Sequence, residues 1–65
     1  MRILVNGEQR DIAALTLEGA LSELGYGMLR VATAVDGDFV PTGQRSSCCL
    51  GEGSAIEIVA PMQGG

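Results

Sequence analysis

The sequence predicts an α+β fold in which one amphipathic helix packs across one face of a five-stranded mixed sheet. Three observations carry this prediction. The dipeptides Asn6-Gly7 and Asp36-Gly37 each indicate a tight β-hairpin, a stripe of leucines between them indicates one helix, and the apolar run at 55–59 indicates a last strand. The elements therefore follow one another as β-β-α-β-β-loop-β.

The first hairpin is predicted from the Asn6-Gly7 pair. A two-residue type I′ turn needs positive φ at both central positions, which Asn and Gly tolerate best. We expect a first strand over Arg2 to Val5 and a returning strand over Gln9 to Ile12.

The helix is expected to begin after Thr16, whose hydroxyl can cap it, and to end at Gly25. Its apolar stripe, at spacings i, i+4 and i+7, consists of Leu17, Leu21 and Leu24. Gly19 inside the helix costs about 1 kcal/mol relative to Ala. The helix must therefore depend on packing against the sheet.

The second half is predicted to hold a hairpin and a separate last strand. Val31 to Val35 and Asp38 to Val40 form the hairpin, which Pro41 closes, and Thr42 to Ser54 has no period and is expected to be an irregular surface loop. Ala55 to Val59 is the last strand. The helical crossover allows the first and last strands to pair in parallel at the centre of the sheet.

Length and charge exclude several classes of function. A chain of 65 residues buries only about 60% of its unfolded surface, which leaves no room for a substrate cavity and catalytic machinery. The net charge of -4, with four arginines and no lysine, argues against nucleic acid and favours basic protein partners. No apolar stretch approaches a membrane span and no leader follows Met1, so we expect a cytoplasmic protein that is not itself an enzyme.

The reactive side chains do not suggest a catalytic or metal site. The chain has no histidine, which removes the usual general base and a frequent zinc ligand. Cys48 and Cys49 are adjacent, which is poor geometry for a disulfide, and are expected to be free thiols. The carboxylates are interpreted as solvated groups; they are Asp36, Asp38, Glu52 and Glu57. We expect no bound cofactor.

The end of the sequence, Gly64-Gly65, has the character of a reactive terminus. We divide the chain into a domain over 1–60 and a flexible tail over 61–65, consisting of Pro61, Met62, Gln63, Gly64 and Gly65. Pro61 cannot donate to a sheet and should end the strand, and residues 60–65 span about 20 Å when extended. A slender arm of this kind suits delivery of its carboxylate to a partner that converts it to an acyl-adenylate.

A docking surface is expected near the second hairpin. Phe39 and Val40, with Met62, are candidates for the apolar centre of a transient interface. The favoured alternative for Phe39 is ordinary packing in a short strand.

These features resemble the ThiS family of sulfur carriers, which has the ubiquitin-like β-grasp fold. The resemblance covers nearly the whole chain and is most specific at the segments 5–7, 35–41 and 56–65. It implies that a ThiF-like adenylyltransferase activates the Gly65 carboxylate with ATP. It further implies that a cysteine desulfurase persulfide supplies the sulfur of a thiocarboxylate, and that a ThiG-like thiazole synthase receives that sulfur.

The chain departs from the family pattern at three places. Thr42 stands where a basic residue is frequent, Ser54 where an acidic one is frequent, and the Cys48-Cys49 pair is unlike the pattern. The first two changes put partner contacts in doubt.

Two alternative functions stay open. One is the small subunit of a molybdopterin synthase, which shares the fold and the diglycine. The other is a β-grasp interaction module whose tail is never activated.

Overall fold

The computed structural model describes residues 1–60, and the predicted tail at 61–65 lies outside the described residues. One helix and five strands form the domain. The strands are β1 (Arg2–Val5), β2 (Glu8–Asp11), β3 (Ala32–Val35), β4 (Asp38–Val40) and β5 (Ala55–Val59), and the helix is α1 (Leu17–Glu23). A 3-10 helix (Thr42–Ser47) lies between β4 and β5.

The five strands form one mixed sheet in the order β2-β1-β5-β3-β4. β1 and β5 pair in parallel, and β5 pairs antiparallel with β3. The predicted fold class and the parallel pairing of the first and last strands are both confirmed. β5 is the central strand of the sheet, with two strands on each side. Residue 60 follows directly after this strand.

Both predicted hairpin turns are present. Asn6 and Gly7 have φ of 51° and 87°, and Asp36 and Gly37 have φ of 50° and 89°, which are the positive values that a type I′ turn requires. The two-residue turn also determines the register, because it makes Val5 and Glu8 direct partners.

Two predicted strand boundaries are corrected by the structure, the first of them because of this register. β2 runs over Glu8–Asp11 and not from Gln9 to Ile12, since the strand must begin directly after the turn. Ile12 lies beyond the strand, and its side chain is buried in the core. β3 begins at Ala32 and not at Val31, whose carbonyl oxygen accepts a hydrogen bond from the Arg45 side chain instead.

The hydrophobic core lies between α1 and the inner face of the sheet. The Thr16 hydroxyl caps the helix by accepting a hydrogen bond from the Gly19 N–H at 3.1 Å, as predicted. The chain leaves the helix through Leu24 into Gly25, whose φ is +96°. The buried apolar residues are Ile3, Val5, Ile12, Leu17, Ala20, Leu21, Val31, Val40, Leu50, Ile56 and Ile58. Over residues 1–60, no helix is long and apolar enough to cross a membrane.

The segment 42–54 is more ordered than an irregular surface loop. Besides the 3-10 helix, it contributes the buried side chain of Leu50 to the core. Its backbone bonds to the start of α1: Leu17 N–H donates to the Cys48 carbonyl at 2.8 Å, and Leu50 N–H donates to the Leu15 carbonyl at 2.8 Å. The prediction missed this order because its partners are distant in sequence and no local period reveals them.

Candidate functional site

The face of the sheet opposite α1 is open and partly apolar. We call it the open face and define it by residues of β3, β4 and β5 that line one shallow groove: Ala32, Ala34, Phe39, Glu57 and Val59. Phe39 is 69% exposed and Val59 is 61% exposed. The two small alanines leave the groove between these larger side chains, since Ala34 is the direct partner of Phe39 and Ala32 is the partner of Val59.

The structure separates the two residues predicted for docking. Phe39 lies on the open face, so the favoured prediction that it packs in the core is wrong. Val40, next along the strand, points to the opposite face and is buried, opposite Thr33. Phe39 therefore stays a docking candidate, whereas the Val40 side chain is not available to a partner. Met62 lies outside the described residues.

Glu57 gives the open face a negative charge at its centre. It is the direct partner of Ala34 and is exposed, with apolar Val59 two residues further along β5. An apolar groove crossed by one carboxylate is complementary to an apolar surface that carries a basic side chain. The basic protein partner expected from the acidic composition stays a prediction.

The end of β5 is held by a side chain from the first hairpin turn. Asn6 Nδ2 donates to the Ile58 carbonyl oxygen at 3.1 Å, and the Ile58 N–H donates to Asn6 Oδ1 at 2.9 Å. The beginning of β5 is held similarly from the second turn. The Ala55 N–H donates to Asp36 Oδ1 at 2.9 Å, and the Asp36 N–H donates to the Ala55 carbonyl at 2.7 Å.

Sequence reasoning recognised Asn6 and Asp36 only as turn formers. The bond from Asn6 to β5 joins residues 52 positions apart, and the bond from Asp36 joins residues 19 positions apart. A local sequence pattern cannot predict contacts between residues so far apart. The turn dipeptides did identify the right residues. Only the fold shows that each also completes the pairing of the last strand.

A second concave surface lies beside the loop that leads into β3. Met28 is 97% exposed and Leu29 is 58% exposed, and both line a cleft of about 390 Å³ together with Arg30 and Arg45. Arg45 is held in place because it donates to the Val31 carbonyl at 2.6 Å and to the Thr33 hydroxyl at 3.2 Å. The cleft is a basic and apolar surface on an acidic domain.

Thr42 and Ser54, at which the chain departs from the family pattern, lie in two different parts of the surface. Thr42 lines the basic cleft. Ser54 lies in a tight turn before β5, where its hydroxyl accepts a hydrogen bond from the Gly51 N–H at 3.0 Å. The Thr42 change therefore alters a concave surface, and the Ser54 hydroxyl stabilises a turn.

The cysteines and carboxylates form no catalytic cluster in the described part of the chain. Cys48 and Cys49 are free thiols, as predicted; Cys48 is half-buried and Cys49 is exposed. Asp36 and Glu52 are exposed and accept hydrogen bonds from the backbone N–H groups of Ala55 and Arg2. Among residues 1–60, no group of three or more histidine, cysteine or acidic residues is placed to hold a metal ion.

Comparison with known proteins assigns the family. The sequence model of the ThiS family matches residues 3–65. The chain belongs to the ThiS family. Members of this family are small sulfur carriers of thiamine biosynthesis and are not enzymes. The family match confirms the resemblance found in the sequence.

Two solved structures of ThiS from Geobacter metallireducens share the fold. The crystal structure of this thiamine biosynthesis protein superposes with a TM-score of 0.84 at 23% identity, over the whole of both chains. The solution structure determined by NMR gives a TM-score of 0.78 at 23% identity, over all of this chain and 88% of the other. At this identity the likeness shows the fold, which is the ubiquitin-like β-grasp fold.

A curated relative is a longer protein. This chain is 35% identical over 66 residues to a thiazole synthase from Paramagnetospirillum magneticum. The alignment covers 100% of this chain and 20% of that protein. The chain thus spans about a fifth of the length of the curated relative that it matches.

Proposed function

We propose that this ThiS family member carries sulfur as a thiocarboxylate on Gly65 and delivers it for formation of the thiazole of thiamine. The observation that carries the proposal is the family match, which extends through residue 65 and so includes Gly64-Gly65. A cytoplasmic location is part of the proposal, because ATP and a sulfur-donating desulfurase must both reach the carrier.

The chemistry requires three steps at the Gly65 carboxylate. First, a carboxylate oxygen attacks the α-phosphate of ATP in a ThiF-like adenylyltransferase, which forms a mixed anhydride and releases pyrophosphate. Next, the terminal sulfur of a cysteine persulfide, formed by a desulfurase, attacks the carbonyl carbon and AMP leaves. Last, a second thiol attacks the cysteine sulfur of the resulting acyl disulfide, which forms a disulfide between the two thiols and releases the thiocarboxylate. All the catalytic groups in this scheme belong to partners.

The open face supports the proposal by offering a docking surface beside the last strand. Val59 belongs both to the open face and to β5, so a partner bound there lies next to the point where the chain continues beyond Ala60. Residues 60–65 span about 20 Å when extended. An adenylyltransferase that covers Phe39 and Val59 can therefore receive Gly65 in a site well inside its own surface.

A ThiG-like thiazole synthase is the proposed recipient of the sulfur. The curated relative is named a thiazole synthase and contains a segment similar to the whole of this chain. A carrier and a synthase that act on the same sulfur benefit from proximity, since tethering raises the effective concentration of the reactive group.

The decisive experiment is an intact mass measurement of the native protein, isolated under thiamine starvation with protected thiols. We expect part of the population to carry one sulfur in place of one C-terminal oxygen, located on Gly65 by fragmentation of the terminal peptide. A population with carboxylate alone under these conditions would contradict the proposal and would favour a β-grasp interaction module.

The recipient is tested separately by co-purification. We expect the thiocarboxylated carrier to bind a thiazole synthase and to transfer its sulfur there. Retention instead by the large subunit of a molybdopterin synthase would identify the alternative pathway, while leaving the thiocarboxylate itself in place.

A further inference from the structure

The side-chain amide of Asn6 acts as an extra peptide group beside β5. The parallel pairing of β1 with β5 ends at Val5 and Ile56. One residue later, the Asn6 backbone N–H donates to the Ile56 carbonyl at 2.9 Å. Its side chain then provides both the acceptor and the donor for Ile58. The turn residue thus continues the ladder by one step after the backbone of β1 has turned away.

Asn6 bonds to β5 beyond the last residue of β1 that pairs with it. On the β1 side, no backbone strand of residues 1–60 lies beside β5 at this point. On the opposite side, β3 still pairs with the strand as far as Ala32 and Val59. Without the Asn6 amide, the N–H and the carbonyl of Ile58 would face water, and the end of β5 would be held from one side alone. Ala60, the last described residue, follows Ile58 by two positions.

We propose that Asn6 is a positioning residue that fixes where the chain leaves the sheet, and through this the placement of Gly65 in the adenylating partner. This inference rests on the proposed function. Four residues lie between Ala60 and Gly65, so the point at which the chain leaves the sheet limits where the reacting carboxylate can reach. Positioned reactions lose about 100-fold in rate for a misplacement of about 1 Å.

Asp36 provides a matched control. It occupies the same place in the same type of turn, with φ of 50° against 51° for Asn6. It also bonds β5 through its side chain, but at Ala55, the other end of the strand. Asn6→Gly removes two side-chain hydrogen bonds to β5 and Asp36→Gly removes one, and glycine accepts the positive φ at both positions.

The test compares these two variants in the full chain. For Asn6→Gly we expect at least a tenfold lower kcat in pyrophosphate release by the cognate adenylyltransferase, with a smaller change in KM because the open-face residues on β3 and β4 (Ala32, Ala34 and Phe39) are unchanged. For Asp36→Gly we expect kcat within twofold of the original protein. Equal losses of kcat in the two variants, or full kcat in Asn6→Gly, would overturn the inference.

A readout without the partner separates this inference from the proposed function. By NMR, Asn6→Gly should speed amide hydrogen exchange at Ile58 and lower the backbone order parameters of Ile58 to Ala60, while Asp36→Gly should leave these residues unchanged. Asn6→Asp, which keeps an acceptor but loses the donor, should retain protection of the Ile58 N–H and still loosen residues 59 and 60. Unchanged order in Asn6→Gly would refute the positioning role. Failure of the original protein to be adenylated would instead refute the proposed function.

Discussion

The hydroxyl of Thr33 joins the 3-10 helix to the sheet through Arg45, whose Nε lies 3.2 Å from Thr33 Oγ1. The same hydroxyl donates to the Val40 carbonyl at 2.9 Å. Thr33 is 2% exposed, so its oxygen depends on these two partners and not on water.

Replacement of Thr33 by Val should destabilise the domain by about 1 to 2 kcal/mol, because the change removes both hydrogen bonds of the hydroxyl at nearly constant shape. Denaturant unfolding measures this loss. A double-mutant cycle with Arg45→Met should give a coupling energy of about 1 kcal/mol. Arg30→Met, at an exposed arginine of the same cleft, is the control and should change stability by less than about 0.5 kcal/mol. Coupling near zero would show that the bond between Arg45 and Thr33 adds nothing to stability.

Gly19→Ala should fail to give the gain of about 1 kcal/mol that helix propensity alone predicts. A Cβ at this position would lie 3.0 Å from the Ala14 Cβ and 3.3 Å from the capping Thr16 hydroxyl. We expect a lower melting temperature than that of the original protein. Ala14→Gly combined with Gly19→Ala should relieve the contact, so a double variant no more stable than Gly19→Ala would contradict this account.

Phe39→Thr should weaken binding of the adenylyltransferase about tenfold or more, since exposed aromatic side chains at the centre of an interface contribute most to affinity. Thr retains β-propensity, so the stability change should stay below about 1 kcal/mol. Calorimetric titration with the partner and thermal melting measure the two effects. Met28→Thr, which changes a residue that is 97% exposed in the basic cleft, is the control. Equal affinity of the original protein and Phe39→Thr would remove the open face from the docking proposal.

Addition of one Ala after Gly65 should reduce adenylation by orders of magnitude. It moves the carboxylate about 3.5 Å along the chain and places a methyl group beside it, which a positioned reaction does not tolerate. Stability should change by less than about 0.5 kcal/mol, as for surface changes in general. Pyrophosphate exchange and thermal melting give both values. Adenylation at the original rate would show that Gly65 is not the reacting end.

Much of the fold could be predicted because its signals are local. The Asn6-Gly7 and Asp36-Gly37 turns require positive φ, and the strand-pairing register follows directly from a two-residue turn. The apolar run at 55–59 predicted the last strand with its correct bounds. The candidate site was harder to predict, since the exposure of Phe39 depends on which face of the sheet α1 covers.

By itself, the sequence determined the order of the five strands and the α-helix, the family and the diglycine that the proposed chemistry requires, because turn conformation, periodicity and motif are properties of neighbouring residues. Only the tertiary structure decided which apolar side chains stay exposed and which side chains hold β5. Asn6 is hydrogen-bonded to Ile58, and Arg45 is hydrogen-bonded to Thr33. These bonds exist only once the strands have paired and the 3-10 helix has packed beside them. Burial and long-range hydrogen bonding depend on the positions of distant segments in space, and the local sequence does not contain that information.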